Sequence, residues 1–338
     1  MSSRMLTSVL RALAWVAASG LCLPTALAVL CPDKGGGGGS GGGPATDPAI
    51  VVNDNGSIVV MNPNGTSPTL VLASVEGFGV MQPHFTPDGT QIIFNGSAGA
   101  GPGIYVVNVN GTGLTFILPL VSLFDGGPVV SPAASPDGQV KIAFADDTPD
   151  GFSDLFLVNL DGTGLVNLTH SALRAEWQPT WSPQGDALCA VMISSDETTL
   201  FEDCYVYELG VVSGGVAVTN AFSLVNVAGS PLRADLSEFR YPDWARTRDK
   251  ILLSVDLVGL ATGRDLWAID LANLLNPVNL TGDSTNDESS GSWSPDDAKI
   301  IYRFFGLRKN TGIYSMNANG SSRTKLSSIG KYPDRRRS

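Results

Sequence analysis

From residue 48 onward the sequence repeats itself, and nothing else in it restricts the fold as strongly. Half of the unit is a Pro-x-aromatic-Ser-Pro-Asp-Gly element followed by an apolar strand. It reads PHFTPDGTQIIF from Pro83, PAASPDGQVKIAF from Pro132 and PTWSPQGDALCAV from Pro179. It returns as PDWARTRDKILLS from Pro242 and GSWSPDDAKIIYR from Gly291. The other half is a strand that ends in a turn: SIVVMNPNG (57–65), GIYVVNVNG (103–111), DLFLVNLDG (154–162) and GIYSMNANG (312–320). Looser copies are DCYVYELG (203–210) and DLWAIDLAN (265–273). A short apolar strand such as LVNLT (165–169) or PVNLT (277–281) follows.

Each unit therefore holds four short strands, A to D. Pro-Asp-Gly and Asn-x-Asn/Asp-Gly supply the turn starts and positive φ angles that A–B and C–D hairpins require. Four antiparallel strands at a period in the forties predict an all-β fold, a β-propeller. Phe85, Trp181, Trp244 and Trp293 are expected to pack between blades. The first unit has a B strand near residues 49–53 but no A element before it. Lys331-Tyr332-Pro333-Asp334 matches the Tyr241-Pro242-Asp243 start of a repeat. The C-terminal segment is thus expected to supply strand A of the first blade, closing six four-stranded blades into a ring. Closure would remove an exposed sheet edge.

The combined SPDG-strand and IY-x-MN-x-DG pattern resembles the TolB-type (WD40-like) propeller repeat over roughly residues 48–334. The resemblance implies the propeller fold. It leaves function open, because propellers of this type serve binding proteins, peptidase gates and lyases. It does not extend to the α/β domain that precedes the propeller in TolB.

Residues 1–28 read as a secretory signal. Arg4 and Arg11 precede an apolar run from Ala12, and Ala26-Leu27-Ala28 fits a small-x-small cleavage site. An uncleaved membrane anchor is the alternative. Residues 29–47 form a Gly-rich tether, with 35–43 entirely Gly and Ser. Cys31, between signal and tether, resembles the lipidated cysteine of bacterial lipoproteins, although Leu30 stands where a small residue is usual. The resemblance implies an exported protein, periplasmic or anchored at the outer membrane, touching membrane only through that lipid. Cys189 and Cys204 fall on two strands joined by one loop. They are expected either to pair in an oxidising compartment or to stay as buried thiols.

With 21 Lys and Arg against 32 Asp and Glu, the net charge is −11. An acidic chain lacks the basic face that nucleic acid needs. Two histidines, His84 and His170, exclude a site built from several histidine ligands. The only G-x-S-x-G surrounds Ser40 in the tether, outside any strand–turn–helix context. Acids concentrate instead in the long B–C and D–A loops, which share one face. Candidate binding residues there are His84, Arg174, Glu176, Trp177, Asp235, Arg240, Tyr241 and Glu288. The expectation is a monomeric binding module without cofactor that takes a protein or peptide on an acidic loop face. A solvated acidic surface is the plainer alternative. A carbohydrate-active enzyme using Glu176 with Asp235 or Glu288 is the competing function. Calcium among Asp146, Asp147 and Asp150 is also considered, without EF-hand spacing.

Overall fold

A computed structural model describes residues 49–336, apart from 75–78, 99, 124–125, 172, 196–199, 214, 233–236, 248, 258–262, 283–285 and 307–309. The signal, the tether and Cys31 lie outside the described residues. In chain order the strands are β1 (Ile50–Asp54), β2 (Ser57–Met61) and β3 (Thr69–Leu72), then β4 (Val80–Phe85), β5 (Gln91–Ala98), β6 (Gly101–Asn108) and β7 (Thr115–Pro119). The next group is β8 (Val129–Val130), β9 (Lys141–Asp147), β10 (Ser153–Asn159) and β11 (Val166–Asn167). β12 (Arg174–Trp181), β13 (Ala187–Ser195), β14 (Leu200–Val212) and β15 (Gly215–Ser223) follow. β16 (Glu238–Trp244), β17 (Lys250–Asp256), β18 (Asp265–Asp270) and β19 (Asn273–Asn279) form another set. β20 (Asp287–Trp293), β21 (Lys299–Phe305), β22 (Gly312–Asn317), β23 (Thr324–Ser327) and β24 (Lys331–Arg335) complete the chain.

These strands make six antiparallel sheets of four. Five are consecutive meanders. The first has the order β24-β1-β2-β3, so the first and last of the described strands meet in one blade. Asp334 pairs with Val51, and Arg335 with Ile50. Arg336 N–H also donates to Ala49 O at 3.1 Å. The ring is closed by the C-terminal segment.

The repeated turns explain the local register. In the first C–D turn, Thr66 N–H and Oγ1 both bond Asn64 Oδ1, at 3.1 and 2.6 Å. The same bonds recur between Thr112 and Asn110, Thr163 and Asp161, and Ser321 and Asn319. Gly65 in that turn has φ 80°, and a Cβ there would meet Leu326 O at 2.3 Å. The neighbouring blade thus leaves room only for glycine.

Phe85, Trp181, Trp244 and Trp293 are all buried between blades. Trp181 Nε1 donates to Val129 O at 3.0 Å, and Trp293 Nε1 to Asp243 O at 3.2 Å. The Trp181 and Trp293 indoles thereby bury a large apolar area and still satisfy their one polar atom.

One repeat differs from the sequence reading. Strand A of the third blade is β8, so Pro128-Val129-Val130 occupies the place expected of Pro132-Ala133-Ala134. The backbone fixes this. Ser131 N–H bonds Lys141 O as Thr86 N–H bonds Gln91 O and Ser182 N–H bonds Ala187 O. Pro132–Ser135 is extra length in the A–B turn, and Val130 fills the aromatic position.

Candidate functional site

The six A strands surround the central channel, and most share one irregularity. A residue with positive φ sits in a β-bulge: Gln82 (39°), Gln178 (56°), Tyr241 (52°), Ser290 (52°) and Tyr332 (48°). The third blade uses the pair Gly126-Gly127 instead, with Gly126 at 114°. Bulges re-aim side chains, and such backbone persists in a bulky residue only where its surroundings hold it. These five side chains and Gly127 line the channel.

Neighbouring blades hold the collar in place. Tyr241 N–H donates to Gln178 Oε1 at 2.7 Å, and Gly127 N–H to Gln82 Oε1. On four of these strands, two residues further along, a channel-lining side chain accepts a backbone N–H from the next blade. Asp243 Oδ2 takes Trp293 N–H at 2.8 Å, and Asp334 Oδ2 takes Phe85 N–H at 2.9 Å. Thr180 Oγ1 takes Trp244 N–H and Ser292 Oγ takes Arg335 N–H, each at 3.4 Å. The Tyr241 and Tyr332 rings meet with centroids 5.7 Å apart at 57°. Burial first, and then the Tyr332 hydroxyl, push the Tyr241 phenol well above its ordinary range. His84 lines the channel beside this wall, its Nδ1 3.7 Å from Asp334 Oδ1.

On the loop face the structure gathers Trp177, Arg240 and two glutamates that the sequence left scattered. Arg240 grips Glu202 with both terminal nitrogens, at 2.6 and 3.1 Å. Its guanidinium lies 5.6 Å from the Trp177 ring centroid. Glu238 stands 3.9 Å from Arg240 and 3.2 Å from Arg264, and Arg264 is 3.9 Å from Asp287. This network joins the fourth, fifth and sixth blades. Nothing in the local sequence announced Glu202 or Arg264 as members. Glu202 finds its partner in the next repeat, 38 residues away, and Arg264 meets Glu238 across its own blade, 26 residues away.

Among the described residues, several loop acids of the expected acidic face already have partners. Glu202, Glu238 and Asp287 face arginines. Asp146 accepts the N–H groups of Val121 and Ser122, at 2.9 and 2.8 Å, and burial raises its pKa. Asp147 accepts the Ser153 hydroxyl, and Asp150 that of Thr148, so these three carboxylates fasten their own loops. Among the described residues no group of three or more His, Cys, Asp and Glu side chains converges as a metal site.

Glu176 and Glu288 also depart from expectation. Both are 1 % exposed, at strand-A positions occupied elsewhere by Val80 and Phe239, so their side chains point between blades and away from the mouth. Glu176 Oε1 accepts Ser171 Oγ at 2.8 Å and lies 3.5 Å from the Tyr207 hydroxyl. Burial raises its pKa from 4.5 to about 7, against the pull of Ser171, and the nearby Asp154 adds to the rise. Asp203, fully buried under the Ser223 hydroxyl at 2.7 Å, is raised to about 6 by burial. Arg174 lies apart from the Arg240 network, 5.9 Å from the Tyr205 ring centroid. Asp235 lies outside the described residues. Cys189 and Cys204 are buried free thiols with Sγ atoms 3.1 Å apart.

Six four-stranded blades, a strand donated from the C-terminus and a narrow polar channel can be set beside solved propellers. TolB from Acinetobacter baumannii matches with a TM-score of 0.63 at 20 % identity, over 85 % of this chain and 66 % of its own. The fold is that of the TolB propeller. In sequence, the Tol-Pal system protein TolB of Francisella tularensis subsp. holarctica is 26 % identical over 133 residues, 38 % of this chain and 29 % of that protein. The chain thus spans less than two thirds of either TolB. An oligogalacturonate lyase in complex with manganese shares the fold more distantly, with a TM-score of 0.50 at 14 % identity over 82 % of this chain and 71 % of its own. No protein-family model matches the sequence. A TolB-like propeller therefore describes the scaffold, and function has to be argued from the site.

Proposed function

We propose that this chain is an exported cell-envelope protein that binds a protein or peptide partner, without chemistry, on the B–C/D–A loop face of its propeller. The observation that carries this is the make-up of that face. Val121, Leu173, Phe305 and Ile329 are 76, 63, 60 and 37 % exposed there, on D–A connections and at a strand-B end. The Arg240–Glu202–Glu238–Arg264 network lies at strand ends of the same face and adds paired charges. Apolar and aromatic anchors within a charged rim are what protein interfaces are built from. The likeness to TolB, named for the Tol-Pal system, supports an envelope location, as do the signal-like residues 1–28.

The geometry of the ends suits such a role. β24 and β1 meet the remaining chain at Arg336 and Ala49, on the short-turn face. Both points lie opposite the loop face and leave it open, and the lipid anchor in this proposal is carried by Cys31, ahead of them in sequence. The monomer is the acting species.

The test is capture from envelope extract with the full chain and with Phe305→Asp and Tyr332→Ala. A partner retained by the parent and lost from both variants is expected. Equal retention by all three overturns the assignment of the face. A glycan-degradation screen on the same preparations addresses the enzyme alternative. Glycan turnover by the parent protein would replace binding with catalysis.

A further inference from the structure

Cys189 on β13 and Cys204 on β14 are neither directly paired nor far apart. Cys189 is opposite Val206, and Val191 opposite Cys204, so the two cysteines form a diagonal across adjacent antiparallel strands. Both are completely buried in the apolar layer between the fourth and fifth blades, with Phe239 and Trp244. Their Sγ atoms are 3.1 Å apart, about 1 Å beyond an S–S bond. Equivalent positions in other blades hold ordinary aliphatic residues, such as Ile93 and Ile104 in the second, so packing alone does not call for sulfur.

We propose that Cys189 and Cys204 are joined by a disulfide when the chain folds in the presence of an oxidant, stapling the B and C strands of the fourth blade. The step is a thiol–disulfide exchange. The thiolate of one cysteine attacks a disulfide carrier, either a protein oxidant or oxidised glutathione, and a mixed disulfide forms. The second thiolate attacks the cysteine sulfur of that mixed disulfide. The S–S bond forms, the carrier leaves with both electrons as its dithiol or as two thiols, and the two protons end on carrier or solvent.

Timing is part of the inference. In the folded chain neither sulfur is accessible, and burial pushes the Cys204 thiol well above its usual range. Such a thiol does not exchange. The bond therefore forms while β14 is docking on β13, and the finished ring preserves whichever redox state it closed around.

In the cell the oxidant rests on the export proposed above. Formation of the bond itself rests only on the fourth blade, and two experiments keep these apart. In the first, the reduced, denatured full chain is refolded in a glutathione redox buffer, acid-quenched, denatured, alkylated without reductant and mapped by mass spectrometry. A linked Cys189–Cys204 peptide, two hydrogens lighter than the sum of its parts, is expected. Alkylation of both cysteines, or linkage of either to Cys31, Cys22 or glutathione, overturns the proposal. The second applies the same mapping to chain taken directly from cells. Linkage there as well supports bond and export together. Linkage on refolding but free thiols in cells upholds the bond and counts against export.

Discussion

Glu176 makes the stability of this propeller depend on pH in a calculable way. Its carboxyl is 1 % exposed, and burial lifts its pKa from 4.5 to about 7. In the unfolded chain it titrates near 4.5. Between those values the folded state holds a proton that the unfolded state has released. The contribution is therefore complete below pH 4.5, declines as pH rises through about 7 and then levels off. At 1.36 kcal/mol per pH unit, the whole loss is about 3 kcal/mol. Glu176→Gln keeps the side chain's shape and removes the titration. Asp203, raised to about 6 by burial, pushes stability in the same direction but is present in both proteins, so it cancels in the comparison. The assay is calorimetric unfolding of both proteins at pH 5, 6, 7 and 8. For a domain of this size 1 kcal/mol corresponds to roughly 2 °C. Part of the change lies outside this window, so between pH 5 and pH 8 the parent should lose about 5 °C more than the variant. Curves that fall in parallel would show that Glu176 is already ionised inside the fold, and the reasoning would fail.

Three further outcomes are expected. Removing residues 331–338 deletes β24 and exposes the edge of β1, which should cost at least about 3 kcal/mol in urea unfolding; unchanged stability would mean that the ring closes another way. Arg240→Ala strips Glu202 of a two-pronged partner and should cost about 2–4 kcal/mol with a shift in Trp177 fluorescence. Arg240→Lys should restore only part of this, because an ammonium cannot make the paired contact. Mass spectrometry of the mature N-terminus should find cleavage before a lipid-bearing Cys31, and an unmodified Val29 start would end the lipid proposal.

How much of this was legible in sequence depended on whether a feature was local. Trp181, Trp244 and Trp293 were readable as wedges because each sits at a fixed offset from its own turn. The donated strand was readable because Tyr332-Pro333-Asp334 copies Tyr241-Pro242-Asp243. The third blade was misread because its turn contains two Ser-Pro steps, at 131–132 and 135–136, and only the bond from Ser131 to Lys141 selects between them. The collar was not visible at all. Gln82, Gln178, Ser290 and Tyr332 share a backbone shape, not a residue type. Glu176 and Glu288 looked like mouth carboxylates because acids are common at such loops. Strand parity turned them inward, and a shift of one residue decides that. The Arg240–Glu202 pair joins two blades, and no pattern within one repeat contains it.

The meeting of the first and last strands in one blade also sets a schedule for folding. The hydrogen bond from Phe85 N–H to Asp334 joins residues 249 positions apart. During synthesis the hairpin of β1 and β2 precedes the other blades, and it waits for β24, which emerges after all of them. Blades two to six can assemble in turn from neighbouring sequence, but the final pairing carries almost the whole chain as its loop, the slowest kind of contact to form. A chain interrupted anywhere before residue 331 keeps an open edge, and such edges recruit other strands or proteases. β24 thus acts as a completeness check: a chain that reaches it hides its seam, and one that stops short displays it.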